Sequence, residues 1–594
     1  MLNPKNVWPN TENSFRVLFF AQLVRELLDP ETFESHRVFS LDTLSRLNEC
    51  ASLYKDFQSG RISKKTLNAP FEEACWSVRA DPVVSDVFSE IEIDTVCSEL
   101  SKTESFSDPY SGALYLRNRL IPIYKSHMEE QILSLLSQES QKNRLRQLTS
   151  FYCSHLINIG YSRDYISEVC DRVFFDADHG RISSTKVSRF FENFSAKIHD
   201  YDVYAEVSKD TGKLLKGLGA TVLTNRSNLG RTSADVKAKF AIDTKNRYAV
   251  ITCKAMDEFS ATASANELLE DVRALALLNP EAADITWRKE FYVVRKRKQA
   301  GAVLKLPENP LDWLSPQPSS RPRLIKDITR YSERVLSNFD SNSMGRILRS
   351  VSTAASSRNA STVETQLITL WSAVEGLLVE PPDGRARIEH FADLIVPCIC
   401  NRHLHRRSIY IFEQMKIMYG SAFLKIVTKE PDWGVEHEHF KFTRLFMFEK
   451  NHSLRQQLCN LARDNPLALH RMYQFYNDVK NPMNIHSSLL SHEKRVRWQI
   501  GRIYRVRNSL VHKIDRPGYL DSVVLNMFEY YIRLLACIVR TASKYQGQSD
   551  LDQTVSGIFL DTISTKSLIK TKFEKNENDD SIFISLLDTS LRRI

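Results

Sequence analysis

Over most of this chain apolar residues return every third or fourth position, in two long blocks separated by one stretch that alternates. A period near 3.6 buries a stripe only on an α-helix, whereas alternation buries one face of a strand. The expected fold class is therefore mainly α: an N-terminal helical region, a small central α/β module and a C-terminal helical bundle. Residues 1–200 form the first block, with Phe15, Leu18, Phe19, Leu23 and Leu27 as an early stripe. Residues 201–300 hold strand-like YDVYAEV, ATVLT, RYAVITCKA and EFYVVR, with a helical ASANELLEDVRALALL between the last two. That order predicts a small α/β module. Pro307, Pro310, Pro316, Pro318 and Pro322 mark residues 301–325 as an extended linker. Residues 326–545 read as helical again, apart from the serine-rich SVSTAASSRNAST that precedes the Trp371 helix, which predicts a mobile connection. Residues 546–594 read as a polar C-terminal tail whose short apolar end could dock on a partner.

The bulk numbers exclude some classes. With 594 residues, 42% hydrophobic and 26% charged, the chain is neither disordered nor fibrous, and its length suggests about three or four domains. The net charge of +9 is compatible with nucleic acid but is spread along the whole chain. The ten cysteines follow no framework of spacings, which predicts reduced thiols and a cytoplasmic location. The first apolar run is interrupted by Gln22 and ended by Arg25-Glu26, and LLACIV is bracketed by Arg533 and Arg540. No membrane span is expected, because crossing a bilayer needs ~20 apolar residues.

Several local patterns invite chemistry. Gly-Arg-Ile-Ser occurs twice, after Asp56 and after Asp176, each time followed by a helical pattern ending in Phe71-Glu72 or Phe191-Glu192. This reads as a duplicated helix–turn–helix unit. The Asp176-Ala177-Asp178-His179-Gly180 run departs from a calcium loop, since Gly comes fifth and Val187 stands where the twelfth-position Glu belongs. A turn capped by Ser183 is the better reading. Asp235, Asp243, Lys245 and Lys254 loosely resemble a metal-dependent PD-(D/E)xK nuclease, but Thr252 occupies the acid's place. Cys398, Cys400, His403 and His405 could ligate zinc, although both spacings are tighter than usual zinc motifs and a buried cysteine pair is the alternative. No metal and no cofactor is expected. The basic run Arg295-Lys296-Arg297-Lys298 could touch RNA phosphate or form a solvated edge.

The most informative stretch runs from His492 to Gly518. Val496, Ile500, Ile503 and Leu510 mark a helical stripe, and Arg507 falls on it. A guanidinium there must be buried with a partner or serve a ligand. His512 follows, and Asp515-Arg516-Pro517-Gly518 ends the helix. Metal-free RNA cleavage needs proton transfer near neutral pH, which histidine supplies, and a fixed cation on the phosphorus oxygens, which arginine supplies. Asn508 and His512 share a face, being four apart. Arg507 and His512 lie roughly 140° apart on a regular helix, so two copies meeting across a two-fold axis would converge better than one. Arg505, seven before His512, is a second match.

The run Arg507-Asn-Ser-Leu-Val-His512 resembles the R-x4–6-H signature of the HEPN superfamily, and LITLWSAVEGLL from Leu367 to Leu378 resembles the first helix of its Apea-like branch. The resemblance covers about the last two-fifths of the chain. It implies a HEPN-like helical bundle at 326–545 that forms a homodimer, and a metal-independent endoribonuclease of the antiphage abortive-infection type. The substrate would be RNA, with transfer RNA a candidate. By the same resemblance Arg507 and His512 are catalytic with Asn508, while Glu375 and Arg505 are supporting candidates. The alternative for Glu375 is a helix-start carboxylate paired with a core-facing arginine. The upstream region would keep the enzyme silent until it senses a phage-derived trigger. The competing expectation is a non-catalytic helical scaffold that binds RNA or protein.

Overall fold

The structure is a computed structural model that describes residues 12–29, 32–33, 41–101, 109–138, 141–176, 184–223, 247–275, 285–296, 301–305, 311, 329, 332–334, 337–400, 402–430, 438–512, 517–543, 549–575 and 582. It is mainly α with one small sheet, as the periodicity predicts.

The N-terminal region is a layered array: α1 (Glu12–Leu28), α2 (Thr43–Gln58), α3 (Lys65–Ala80), α4 (Pro82–Val87), α5 (Glu90–Ser101), α6 (Pro109–Leu120), α7 (Tyr124–Leu135), α8 (Lys142–Asn158), α9 (Arg163–Cys170) and α10 (Ser184–Glu192). Phe19, Phe20, Leu47, Phe71, Tyr152 and Phe190 lie in its single core. Asp42 caps α2 through the Ser45 N–H, and Asp81 with Pro82 starts α4. In the first Gly-Arg-Ile-Ser copy Gly60 takes a φ of +73°, and Arg61 reaches back to Asp56 at 3.0 Å. The second copy, including Gly180 and Ser183, lies outside the described residues. Phe71 and Phe191, which follow the two copies, are both buried.

The central module is a five-stranded antiparallel sheet in the order β2-β3-β1-β4-β5. Its elements are β1 (His199–Val207), α11 (Lys209–Gly217), β2 (Thr221–Leu223), β3 (Arg247–Ala255), α12 (Glu258–Leu275), β4 (Trp287–Arg295) and β5 (Ala302–Lys305). Val203 and Ala205 on one face of β1 pack with Ala261, Ala265 and Leu269 of α12. The expected linker at 301–325 is thus corrected at its start. Residues 302–305 come before the first proline, keep their backbone donors and pair with β4, Val303 opposite Tyr292. The prolines themselves lie outside the described residues. So do Asp235, Asp243 and Lys245 of the metal-nuclease reading; Thr252 of that set hydrogen-bonds Asp202 at 2.7 Å.

The C-terminal part comprises α13 (Ser341–Asn359), α14 (Val363–Glu375), α15 (Arg387–Cys400), α16 (His403–Val427), α17 (Glu438–Met447), α18 (His452–Leu461), α19 (Pro466–Val479), α20 (Pro482–His512), α21 (Leu520–Ala542) and α22 (Leu551–Glu574). It has two cores rather than one. Trp371, Ile399, Ile503, Tyr531 and Ile558 belong to the bundle of α13–α15 and α20–α22. Phe412, Phe442, Leu458 and Phe475 belong to a second core built by α16–α19. The beam joining them is α20, which gives Ile485 to the second core and Val496, Ile500, Ile503, Val506 and Leu510 to the bundle. Its 31 residues span about 46 Å.

Two further expectations are corrected. The serine-rich connection is helical: most of it continues α13 to Asn359. Its small side chains let α13 lie close on α14, where Ser350 donates to the Ala373 carbonyl at 2.7 Å and Ser357 to that of Gln366 at 2.9 Å. The polar tail beyond 546 contains α22, capped by Asp550, whose Leu551, Val555 and Ile558 enter the bundle core. Helix α21 is long and apolar enough to cross a membrane by length and composition, but 72% of that window is buried among the other helices. Its apolarity serves the core.

Candidate functional site

The site is organised by α20. Asn481 caps it, accepting from the Asn484 N–H at 2.9 Å, and Pro482 opens its first turn. While one face fills the two cores, Lys494, Trp498, Arg502 and Arg505 line another at steps of four, four and three. That stripe meets α2 and α3 of the N-terminal region. Arg502 is fully buried and donates to Glu73 Oε1 at 3.1 Å, Glu73 Oε2 at 2.6 Å and Glu49 Oε2 at 2.9 Å. Arg46 shares Glu73 at 3.1 Å, and Arg505 holds Glu49 Oε1 at 2.8 Å. Above this cluster Trp498 donates to Glu72 and packs 5.8 Å from Trp76.

Electrostatics follow from that arrangement. Burial pushes the Glu49 carboxyl up, but the Arg502 and Arg505 guanidinium groups outweigh it and pull the pKa down to about 2. Burial also opposes ionisation of Glu73, yet Arg502 and Arg46 hold it below the usual carboxylate range. Both carboxylates therefore stay charged, and each buried cation has a counter-ion. The arginine that α20 buries is thus Arg502, on the face turned to α2 and α3 and off the apolar stripe, and not Arg507.

Beside the cluster opens a cleft of about 1330 Å³. Asn48, Ser52 and Lys65 line its N-terminal wall, and Ile388, Arg497, Arg505, Asn508 and Ser509 line the bundle wall. Arg507 is half-buried and does not itself line the cleft; its Nη1 donates at 3.0 Å to Oδ1 of Asn508, which does. The Arg507 Nε has no hydrogen-bond partner among the described residues. The structure thus brings Arg507 and Asn508 together near the end of α20. His512 is the last residue of that helix, and its side chain lies outside the described residues.

The supporting candidates separate. Arg505 is an interface residue, fixed by Glu49. Glu375 ends α14 rather than starting a helix; it accepts from Trp371 Nε1 at 2.7 Å and lies 3.7 Å from Arg387, which is itself half-exposed. The two motif helices do touch, since the Trp371 and Tyr504 rings are 5.4 Å apart. The four residues weighed for zinc diverge. Cys398 donates to the Leu394 carbonyl, His403 stacks on His492 at 3.6 Å, and His405 stacks on Phe440 at 5.4 Å. Among the described residues no three His, Cys, Asp or Glu side chains stand together as a metal site would need.

No family model matches this chain, and no curated protein or solved structure matches it. Sequence reasoning missed Glu49, Glu73, Arg46 and Arg502. The apolar periodicity held no signal for Arg502, which lies off the Ile500–Ile503 stripe on the face that also carries Lys494 and Trp498.

Proposed function

We propose that this chain is a metal-independent endoribonuclease of the HEPN type, cytoplasmic and active as a homodimer in defence against phage. The observation that carries the reading is the Arg507–Asn508 pair on the last turns of α20, whose Asn508 lines a cleft of about 1330 Å³, on a helix packed against Trp371 of α14. Arg507 would hold the non-bridging oxygens as negative charge builds in the transition state. Asn508 would orient that guanidinium. His512, from the same helix end, would move protons between the 2′-hydroxyl and the leaving 5′-oxygen. The 2′-oxygen forms a bond to phosphorus as the 5′-oxygen leaves, giving a 2′,3′-cyclic phosphate and a 5′-hydroxyl. The N-terminal region supplies one wall of the cleft, which supports a role in restraining access until a trigger arrives.

The test is expression of the wild type, Arg507→Ala and His512→Ala in one host, with growth and the ends of total RNA compared. Purified protein should cut in chelator and fail on a substrate whose 2′-hydroxyl at the cut site is replaced by hydrogen. Chelator-sensitive cutting that survives both substitutions, or full activity from a strict monomer, would overturn the reading.

A second reading, a non-catalytic scaffold, draws on the pairing of the cleft's cations: Arg505 with Glu49, Arg61 with Asp56 and Arg497 with Asp393. It predicts that wild-type protein cuts nothing and that Arg507→Ala costs stability.

A further inference from the structure

A second cavity lies where three parts of the fold meet. It measures about 460 Å³ and is bounded by α8 of the N-terminal region, α16 and α19 of the second core, and the first half of α20. Three guanidinium groups reach it from three elements: Arg146 from α8, Arg407 from α16 and Arg495 from α20. Asp478 is the one carboxylate among the described lining residues, and it is ion-paired with Arg407.

The other lining groups are donors too. Ser488, Ser491, His492 and Arg495 stand at i, i+3, i+4 and i+7, so one face of α20 is given over to the cavity. His492 stacks on His403 with ring centres 3.6 Å apart and planes 10° apart, and the two are only 4% and 5% exposed. Arg407 is also largely buried, lying over the Phe33 ring at 4.0 Å. These groups are held by packing, so the donors are placed before any ligand arrives.

We infer that this cavity binds a small phosphate-bearing ligand, an inorganic polyphosphate or a nucleotide. A carboxylate offers two oxygens in one plane, which a single guanidinium fork satisfies. Three forks approaching from separate sides, with serine hydroxyls between them, match the tetrahedral oxygens of phosphate. The volume falls within the ~300–1,000 Å³ of small-ligand pockets and is too small for a run of RNA. Because Arg146 belongs to the N-terminal region while Arg495 belongs to α20, a bound phosphate would tie the two together. Arg495 already lies over Trp76 of α3 at 5.5 Å, in the interface that flanks the first cleft. The assignment stands on this cavity alone and does not depend on the ribonuclease reading.

The test is thermal unfolding and calorimetric titration of the full chain with inorganic phosphate, pyrophosphate and a nucleoside triphosphate, with sulfate and a short RNA in parallel. Binding to the native state alone should raise the melting temperature by about 2 °C or more at saturating ligand. Preference for the triphosphate over pyrophosphate identifies a nucleotide, and the reverse identifies an inorganic polyphosphate. Arg146→Gln should weaken binding about tenfold or more, each shift being read against the unliganded melting temperature of the same variant. Ser487→Asp, at an exposed position on the rim, should abolish binding by repulsion even if Arg146→Gln proves poorly folded. No shift with any phosphate probe, binding that both variants retain, or a response confined to RNA would overturn the inference.

Discussion

Arg502 of α20 holds both carboxylate oxygens of Glu73 of α3, at 3.1 and 2.6 Å, with the two side chains 0% and 4% exposed. The candidate cleft exists because of this contact, since one wall is N-terminal and the other belongs to the bundle. Removing one member of such a buried pair leaves a charge without its counter-ion. Arg502→Met is therefore expected to cost about 3–5 kcal/mol, read as a lower denaturant midpoint. An unchanged midpoint would mean that the N-terminal wall is not docked as described.

Acid should loosen the same interface. The folded pKa of Glu49 is about 2, below its ordinary value of 4.5, and Glu73 is also lowered. A carboxyl depressed on folding contributes stability that is fully present above its unfolded pKa and is lost as pH falls through the folded one. The melting temperature should therefore fall between about pH 4.5 and 2. Glu49→Gln should be less stable at pH 7 and show a shallower decline over that window, which melting curves across the range would check.

Arg507 and Arg505 should behave differently although they lie two residues apart. Arg507→Ala removes a half-buried side chain bonded to its neighbour, so its stability cost should stay below about 1 kcal/mol while RNA cleavage falls on the order of 100-fold or more. Arg505→Ala releases Glu49 and should lower stability. Cleavage rates set beside unfolding midpoints for the two variants separate these roles. Equal activity of Arg507→Ala and wild type would exclude it from the chemistry.

His405 is buried, and neither ring nitrogen has a hydrogen-bond partner among the described residues. Burial first, then the charges of Arg402 and His439, hold its pKa well below 6.5. The native state thus keeps it neutral, and stability should decline as pH drops below about 6.5, where the unfolded chain takes up the proton. His405→Met should be neutral or stabilising by about 1 kcal/mol and should flatten that decline in a pH series of unfolding curves.

Ile558 of α22 is 1% exposed in the bundle core. Ile558→Ala should cost about 2–5 kcal/mol, and a chain ending at residue 546 should lose cooperative unfolding. If that shortened chain melted like the full one, α22 would be an appendage, as its polar composition suggested.

Where packing demands repetition, the architecture was legible. The stripe of Val496, Ile500, Ile503 and Leu510 marks a helix because each turn must present the same face, and the continuous apolar run of Tyr248 to Ile251 in RYAVITCKA marks β3, a strand with both faces covered. Helix α22 escaped notice because a helix on the outside of a bundle needs only a few apolar contacts. The serine-rich part of α13 escaped because its serines hydrogen-bond to carbonyls, a use that composition does not reveal.

The sequence by itself determined the helices and strands with a clear apolar period, and the adjacency of Arg507 and Asn508, since these follow from interactions among residues near in the chain. Tertiary structure alone decided which arginine is buried, because Arg502 and Arg507 sit on one helix and differ only in what faces them. Glu73 lies 429 positions from Arg502, and no local rule couples residues so far apart. The folded chain does so by placing the carboxylate where the guanidinium can be taken out of water.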